Sequence, residues 1–84
     1  MRKIINRIVY DTEKAEFIYQ WSVSNNISWV RETLYKTKSG HYFSHETGAY
    51  KKSTWEKIYP MTLEEARYWG EFHMDTMDYN RIFK

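Results

Sequence analysis

His41 and His45 stand four residues apart in Gly40-His41-Tyr42-Phe43-Ser44-His45-Glu46, and imidazoles in such a pattern are the first candidates for metal chemistry. On one straight strand their Cα atoms lie ~13 Å apart. Two ligands of one zinc ion must bond it at ~2.1 Å, so the spacing argues against a shared site unless a bulge, or an outside ligand such as His73 or Glu46, closes the gap. Half-exposed sheet residues beside a basic turn are the expected reading, and no metal is expected. Ser44, His45 and Glu46 supply the side-chain types of a hydrolytic triad, yet consecutive strand residues point to opposite faces. Nothing resembles a nucleophile elbow or a phosphate-binding loop. The pair Glu64-Glu65 has a structural role at a helix start, given below. Neither an enzyme nor a cofactor site is expected.

Binding chemistry is better represented. Trp29, Arg31, Tyr35, Lys36, Lys38, Tyr42, Lys51 and Lys52 mix rings with cations, and Tyr50 and Trp55 lie among them. Cations of this kind neutralise phosphates, and an exposed ring stacks on a base for ~1–3 kcal/mol. The same Tyr, Trp and Arg types are those enriched at protein-interface hot spots, and an open edge strand can pair with a partner's strand. Both partners stay open on residue types alone. No ribonucleoprotein, zinc-finger or helix-turn-helix signature decides for nucleic acid.

These residues need elements to hold them. Trp29 to His45 reads as a two-stranded antiparallel hairpin with Lys38-Ser39-Gly40 at its turn, where glycine supplies the positive φ that a short loop requires. Its first strand alternates Trp29, Arg31, Thr33, Tyr35 and Thr37 against Val30, Glu32, Leu34 and Lys36, so both faces are mixed. Upstream, Lys3–Tyr10 is β-branched and aromatic and favours a strand, or two very short strands if Asn6-Arg7 is a tight turn. Asp11 reads as an N-cap. Ala15, Ile18, Trp21 and Ser22 then share a stripe at 3/4 spacing, which predicts a short amphipathic helix over 12–22. Ser22 to Asn26 reads as a polar break, as does Glu46-Thr47-Gly48-Ala49.

Ser53–Tyr59 reads as a third strand of the sheet, ended by Pro60. Thr62 followed by Glu65 is a capping box, the strongest helix start in the chain. Leu63, Ala66, Trp69, Gly70 and His73 share a face, so this helix runs to about His73, with Gly70 letting it approach the sheet. Asp75 or Thr76 caps a final short segment through Phe83. The expected fold is α+β: a small antiparallel sheet of three to four strands, in the order β-α-β-β-β-α with room for a short C-terminal helix, packed against two helices.

Composition bounds the rest. Eighty-four residues make one domain over 1–84 with a thin core, since a chain this short hides little more than ~60% of the surface its unfolded form exposes. Four Trp, eight Tyr and four Phe compensate, because each ring buries ~150–250 Å². With no cysteine, disulfides and thiolate metal sites are excluded and a reducing compartment is natural. No apolar run has signal-peptide or membrane-spanning length, so no membrane partner is expected and the cytoplasm is the expected location. Net charge is +2, too balanced to announce nucleic acid. The hairpin region is mildly basic, while from Ile58 onward Glu64, Glu65, Glu71, Asp75 and Asp78 outnumber Arg67, Arg81 and Lys84.

The segments Glu32–Phe43 and Ile58–Trp69, with Lys3-Ile4-Ile5-Asn6, Tyr10-Asp11-Thr12 and Tyr79–Phe83, resemble a family of small proteins from phages and integrative elements of Gram-positive bacteria. The resemblance covers most of the chain and includes no catalytic motif. Similar proteins carry a glycine-rich loop after the hairpin, whereas His45–Tyr50 here is glycine-poor. The resemblance implies a stoichiometric inhibitor of host defence, of the anti-CRISPR kind, whose partner is a bacterial immune nuclease such as Cas9. A nucleic-acid-binding module built on the basic aromatic hairpin is the alternative, and the oligomeric state, monomer or homodimer, stays open.

Overall fold

The computed structural model describes residues 1–84 and begins with a tight hairpin. Asn6 and Arg7 both adopt positive φ, 51° and 68°, the two-residue turn that matches the twist of paired strands. It joins β1 (Arg2–Ile5) to β2 (Ile8–Asp11), so Lys3–Tyr10 is two short strands and not one. A four-stranded antiparallel meander follows: β3 (Glu16–Ser24), β4 (Ser28–Lys36), β5 (Tyr42–Tyr50) and β6 (Ser53–Met61), in sheet order β3-β4-β5-β6. Two helices, α1 (Leu63–His73) and α2 (Thr76–Phe83), close the chain. The fold is α+β with two sheets.

The helix expected over 12–22 is a strand. Asp11 does use its cap chemistry: its Oδ1 accepts from Glu13 N–H, and its carbonyl accepts from the Lys14 and Ala15 N–H groups. A single turn forms there and stops. Beyond it Phe17, Ile18, Tyr19, Trp21 and Val23 are β-branched or aromatic residues that lose rotamer freedom in a helix, whereas the pleated edge of the sheet accommodates them and β4 pairs with the inward-facing backbone groups of this segment. A register shift between Phe17 and Tyr19 makes Ile18 a bulged residue, which brings both Ile18 and Tyr19 to the apolar cluster under the helices.

Two other expected boundaries move. Glu46–Ala49 continues β5 instead of breaking it, and the chain turns at Lys51-Lys52, with Lys51 at φ 55°. Pro60 does not end β6. With Tyr50 and Ser53 closing that hairpin, the odd-numbered residues of β6 turn their backbone groups toward β5, and Pro60 sits opposite Phe43 with its missing N–H on the outer edge. The capping box at Thr62 and Glu65 forms as expected, and Asp75 caps α2 by accepting from Asp78 N–H.

The sheet lies between two coverings. On one face the β1–β2 hairpin packs Tyr10 against Phe43 and Ile58, with Ile5, Ile8, Ala15 and Tyr35 around them. On the other, α1 sets Ala66 and Trp69 on Leu34, with Ile18, Tyr19, Tyr42, Met61 and Phe83 at the margin. Gly70 faces α2 and not the sheet: a Cβ there would lie 2.8 Å from Phe83. The result is a slab of 37 × 33 × 19 Å whose radius of gyration is 13.4 Å, against about 11.8 Å for a compact chain of this length.

Candidate functional site

Strand pairing distributes the hairpin's rings and cations over two ends of the sheet. Lys36 pairs with Tyr42 at one end, its ammonium 5.4 Å from the ring centre, and Lys38 lies in the adjoining turn. Trp29, Arg31, Lys51 and Lys52 lie toward the other end: Arg31 is five rungs (~17 Å) and Trp29 seven rungs (~23 Å) from Lys36, and Lys51-Lys52 form the turn beyond the Ser28–Tyr50 rung, eight rungs or ~27 Å away. There Arg31 covers the Trp29 ring at 5.7 Å and Lys51 covers Tyr50 at 5.4 Å. Trp29 and Tyr50 are 39% and 48% exposed, with Val23 and Ile27 beside them in the exposed tips. Each cation gains from its ring's quadrupole while its own charge stays in water.

Tyr35 has a different environment. Its ring stacks on Phe43 at 5.2 Å and meets Phe17 edge-on at 6.3 Å, and burial pushes its hydroxyl above the usual tyrosine value. Of the eight hairpin residues, then, four gather at the Lys51 end, three lie near the Lys38 turn, and Tyr35 is part of the packing.

The histidines and the would-be triad are separated. His41 follows the turn and is exposed, while His45 bonds Glu56 on the neighbouring strand at 2.6 Å. Ser44 is fully buried and Glu46 accepts from the Trp55 indole at 2.8 Å, on the face opposite His45. No three His, Asp or Glu side chains converge as metal ligands do. At the far end of α1, His73 stacks on Trp21 with ring centres 4.4 Å apart, and Glu32 accepts the Trp21 indole at 3.1 Å while lying 3.9 Å from His73. Desolvation lowers the His73 pKa, opposed by the Glu32 charge.

A further surface is absent from the hairpin reading. Between α1 and the edge strand β6 runs an open groove of about 910 Å³, lined by Tyr59, Pro60, Met61 and the outer side of α1. Tyr68 and Phe72 are 66% and 74% exposed there, their rings 6.1 Å apart. Glu64, Glu65 and Glu71 line it as well, with Arg67 as the one Lys or Arg. The signal was present in the chain: Glu64, Tyr68, Glu71 and Phe72 fall at i, i+4, i+7 and i+8, opposite the stripe that meets the sheet. No helix is long and apolar enough to cross a membrane.

Comparison with family models, with curated proteins and with solved structures gives no match to this chain.

Proposed function

We propose that this chain is a stoichiometric protein-binding module, a small mobile-element product that inhibits a bacterial immune nuclease of the Cas type by occupying its surface. One observation carries the protein-binding part. The accessible surface is 6183 Å², whereas a compact monomer of 10.4 kDa exposes about 5,400 Å². The excess of ~800 Å² is what one partner of a standard interface buries. Exposed rings stand at the Trp29–Tyr50 end of the sheet and on the outer side of α1, among the large apolar side chains that a chain with so thin a core leaves outside. The nuclease, the mobile-element origin and action in the host cytoplasm come from the family resemblance.

The test is a titration of the purified chain into a panel of immune nucleases, followed by calorimetry and cleavage assays. Saturation at one chain per nuclease with loss of cleavage is expected. A panel that shows neither heat nor inhibition would sink the reading.

A nucleic-acid reading draws on Arg31, Lys51 and Lys52 beside two exposed rings. It is disfavoured because Lys36 and Lys38 lie at the opposite end, so no continuous basic track forms across the sheet. Binding to single-stranded DNA that weakens steeply with salt and is lost in Lys51→Glu/Lys52→Glu would restore it.

A further inference from the structure

The stripe Glu64, Tyr68, Glu71 and Phe72 contributes nothing to the fold's interior. Ala66, Trp69 and Gly70 do the packing of α1, while Tyr68 and Phe72 lie against each other in solvent at the mouth of the groove along β6. Two such rings, side by side and uncovered, are what an interface core requires from one of its partners.

Charge indicates the occupant. Glu64, Glu65 and Glu71 line the groove against Arg67 alone, and His73 at its far end is held toward its neutral form by burial. A two-fold dimer through this face would bring two copies of one net-acidic patch together, three carboxylates and one guanidinium on each side, since an isologous interface repeats the same patch. A basic partner meets no such repulsion. The groove is open along its length, whereas a small-molecule site encloses most of its ligand, so its shape suits several side chains of a polypeptide better.

We propose that the α1–β6 groove is the docking site for a basic segment of the protein partner, which lays apolar side chains on Tyr68 and Phe72 and places lysine or arginine heads at Glu64 and Glu71. This rests on the protein-binding reading and adds to it the chemistry of the partner's contact segment. The partner's apolar side chains supply the burial, and the carboxylates select cationic flanks against acidic ones.

The probe is a short peptide of alternating lysine and leucine, with an alternating glutamate and leucine peptide as control, followed by amide chemical shifts and by calorimetry on the full chain. The basic peptide is expected to shift amides of α1 and β6, and its affinity to fall about tenfold or more in Tyr68→Ala/Phe72→Ala and in Glu64→Lys/Glu71→Lys. All four side chains are exposed, so the variants keep the fold, which unchanged amide spectra away from α1 will verify. Equal binding of the acidic peptide, shifts confined to the Lys51 end, or a dimer that Phe72→Ala dissociates would each overturn the inference. The two readings fail separately. A nuclease bound through the hairpin end, with groove variants unaffected, removes the groove and leaves the protein-binding function; a groove that takes the basic peptide in a chain that binds no nuclease does the reverse.

Discussion

The indole of Trp55 lies across Gly48, so close that a Cβ on that glycine would sit 2.2 Å from the ring's Cζ2. The two residues are cross-strand partners, and Trp55 keeps its place by donating its indole N–H to Glu46 one rung pair away. Glycine is required here for space and not for backbone conformation, because β5 is regular through this position.

Gly48→Ala is therefore expected to displace the Trp55 ring, break its bond to Glu46 and destabilise the protein by roughly 1–3 kcal/mol, as overpacking does. Urea unfolding measures the loss. In a Trp55→Ala background the same substitution is expected to be nearly neutral; an equal cost in both backgrounds would show that the ring is not the cause.

Acidification is expected to weaken the fold through His73. Its folded pKa is lowered, by desolvation first, so the unfolded chain binds the proton more tightly below the ordinary value of 6.5. Stability is fully present above that pH and is lost as pH falls through the folded value. His73→Phe keeps a ring on Trp21 and removes this slope. Chemical unfolding at a series of pH values tests it, and an unchanged slope in the variant would assign the dependence elsewhere.

Arg7→Gly is expected to stabilise the protein by about 0.5–1.5 kcal/mol. Arg7 holds φ 68°, a left-handed conformation that costs an L side chain ~1–2 kcal/mol and glycine little, and its guanidinium makes no hydrogen bond or ion pair. A thermal melt that falls instead would mean that the arginine stem supports the turn by packing.

Leu34→Ala is expected to cost ~2–5 kcal/mol, because Leu34 is completely buried in the cluster with Ala66 and Trp69 and its truncation leaves a cavity there. In a domain of marginal stability that loss leaves a large unfolded fraction at room temperature. Loss of amide exchange protection in β4 and α1 together reports it. Protection retained in α1 alone would count against a shared core.

Thr62→Ala is expected to cost about 0.5–2 kcal/mol by removing one half of the capping box, in which Thr62 Oγ1 accepts from Glu65 N–H and Glu65 Oε1 accepts from Thr62 N–H. Thr62→Ser, which retains the acceptor, is expected to lose much less; equal losses in thermal unfolding would point to the methyl group.

Local chemistry in the sequence determined the features that depend on neighbours within a turn or two. The Lys38-Ser39-Gly40 turn, the Thr62/Glu65 box and the Asp75 cap are legible because each is satisfied by residues a few positions away. The turn-forming chemistry of Asp11 was equally legible, but it closes a turn and caps no helix, because the pairing of Glu16–Ser24 with β4 makes the chain beyond it a strand. Tyr19, Trp21 and Val23 alternate there, but Ala15, Ile18 and Trp21 also fit a helical stripe, and a segment compatible with both periods takes its conformation from its partner. The same holds for the candidate site. Residue types announced rings and cations in the hairpin, whereas the strand register alone fixed that Lys36 and Lys51 lie at opposite ends and that Tyr35 is covered. The exposure of Tyr68 and Phe72 likewise follows from which side of α1 the sheet occupies, a choice set by the burial of Ala66 and Trp69 on Leu34. Contacts between residues distant in sequence are made by burial of shared surface, and that is settled by the whole chain at once.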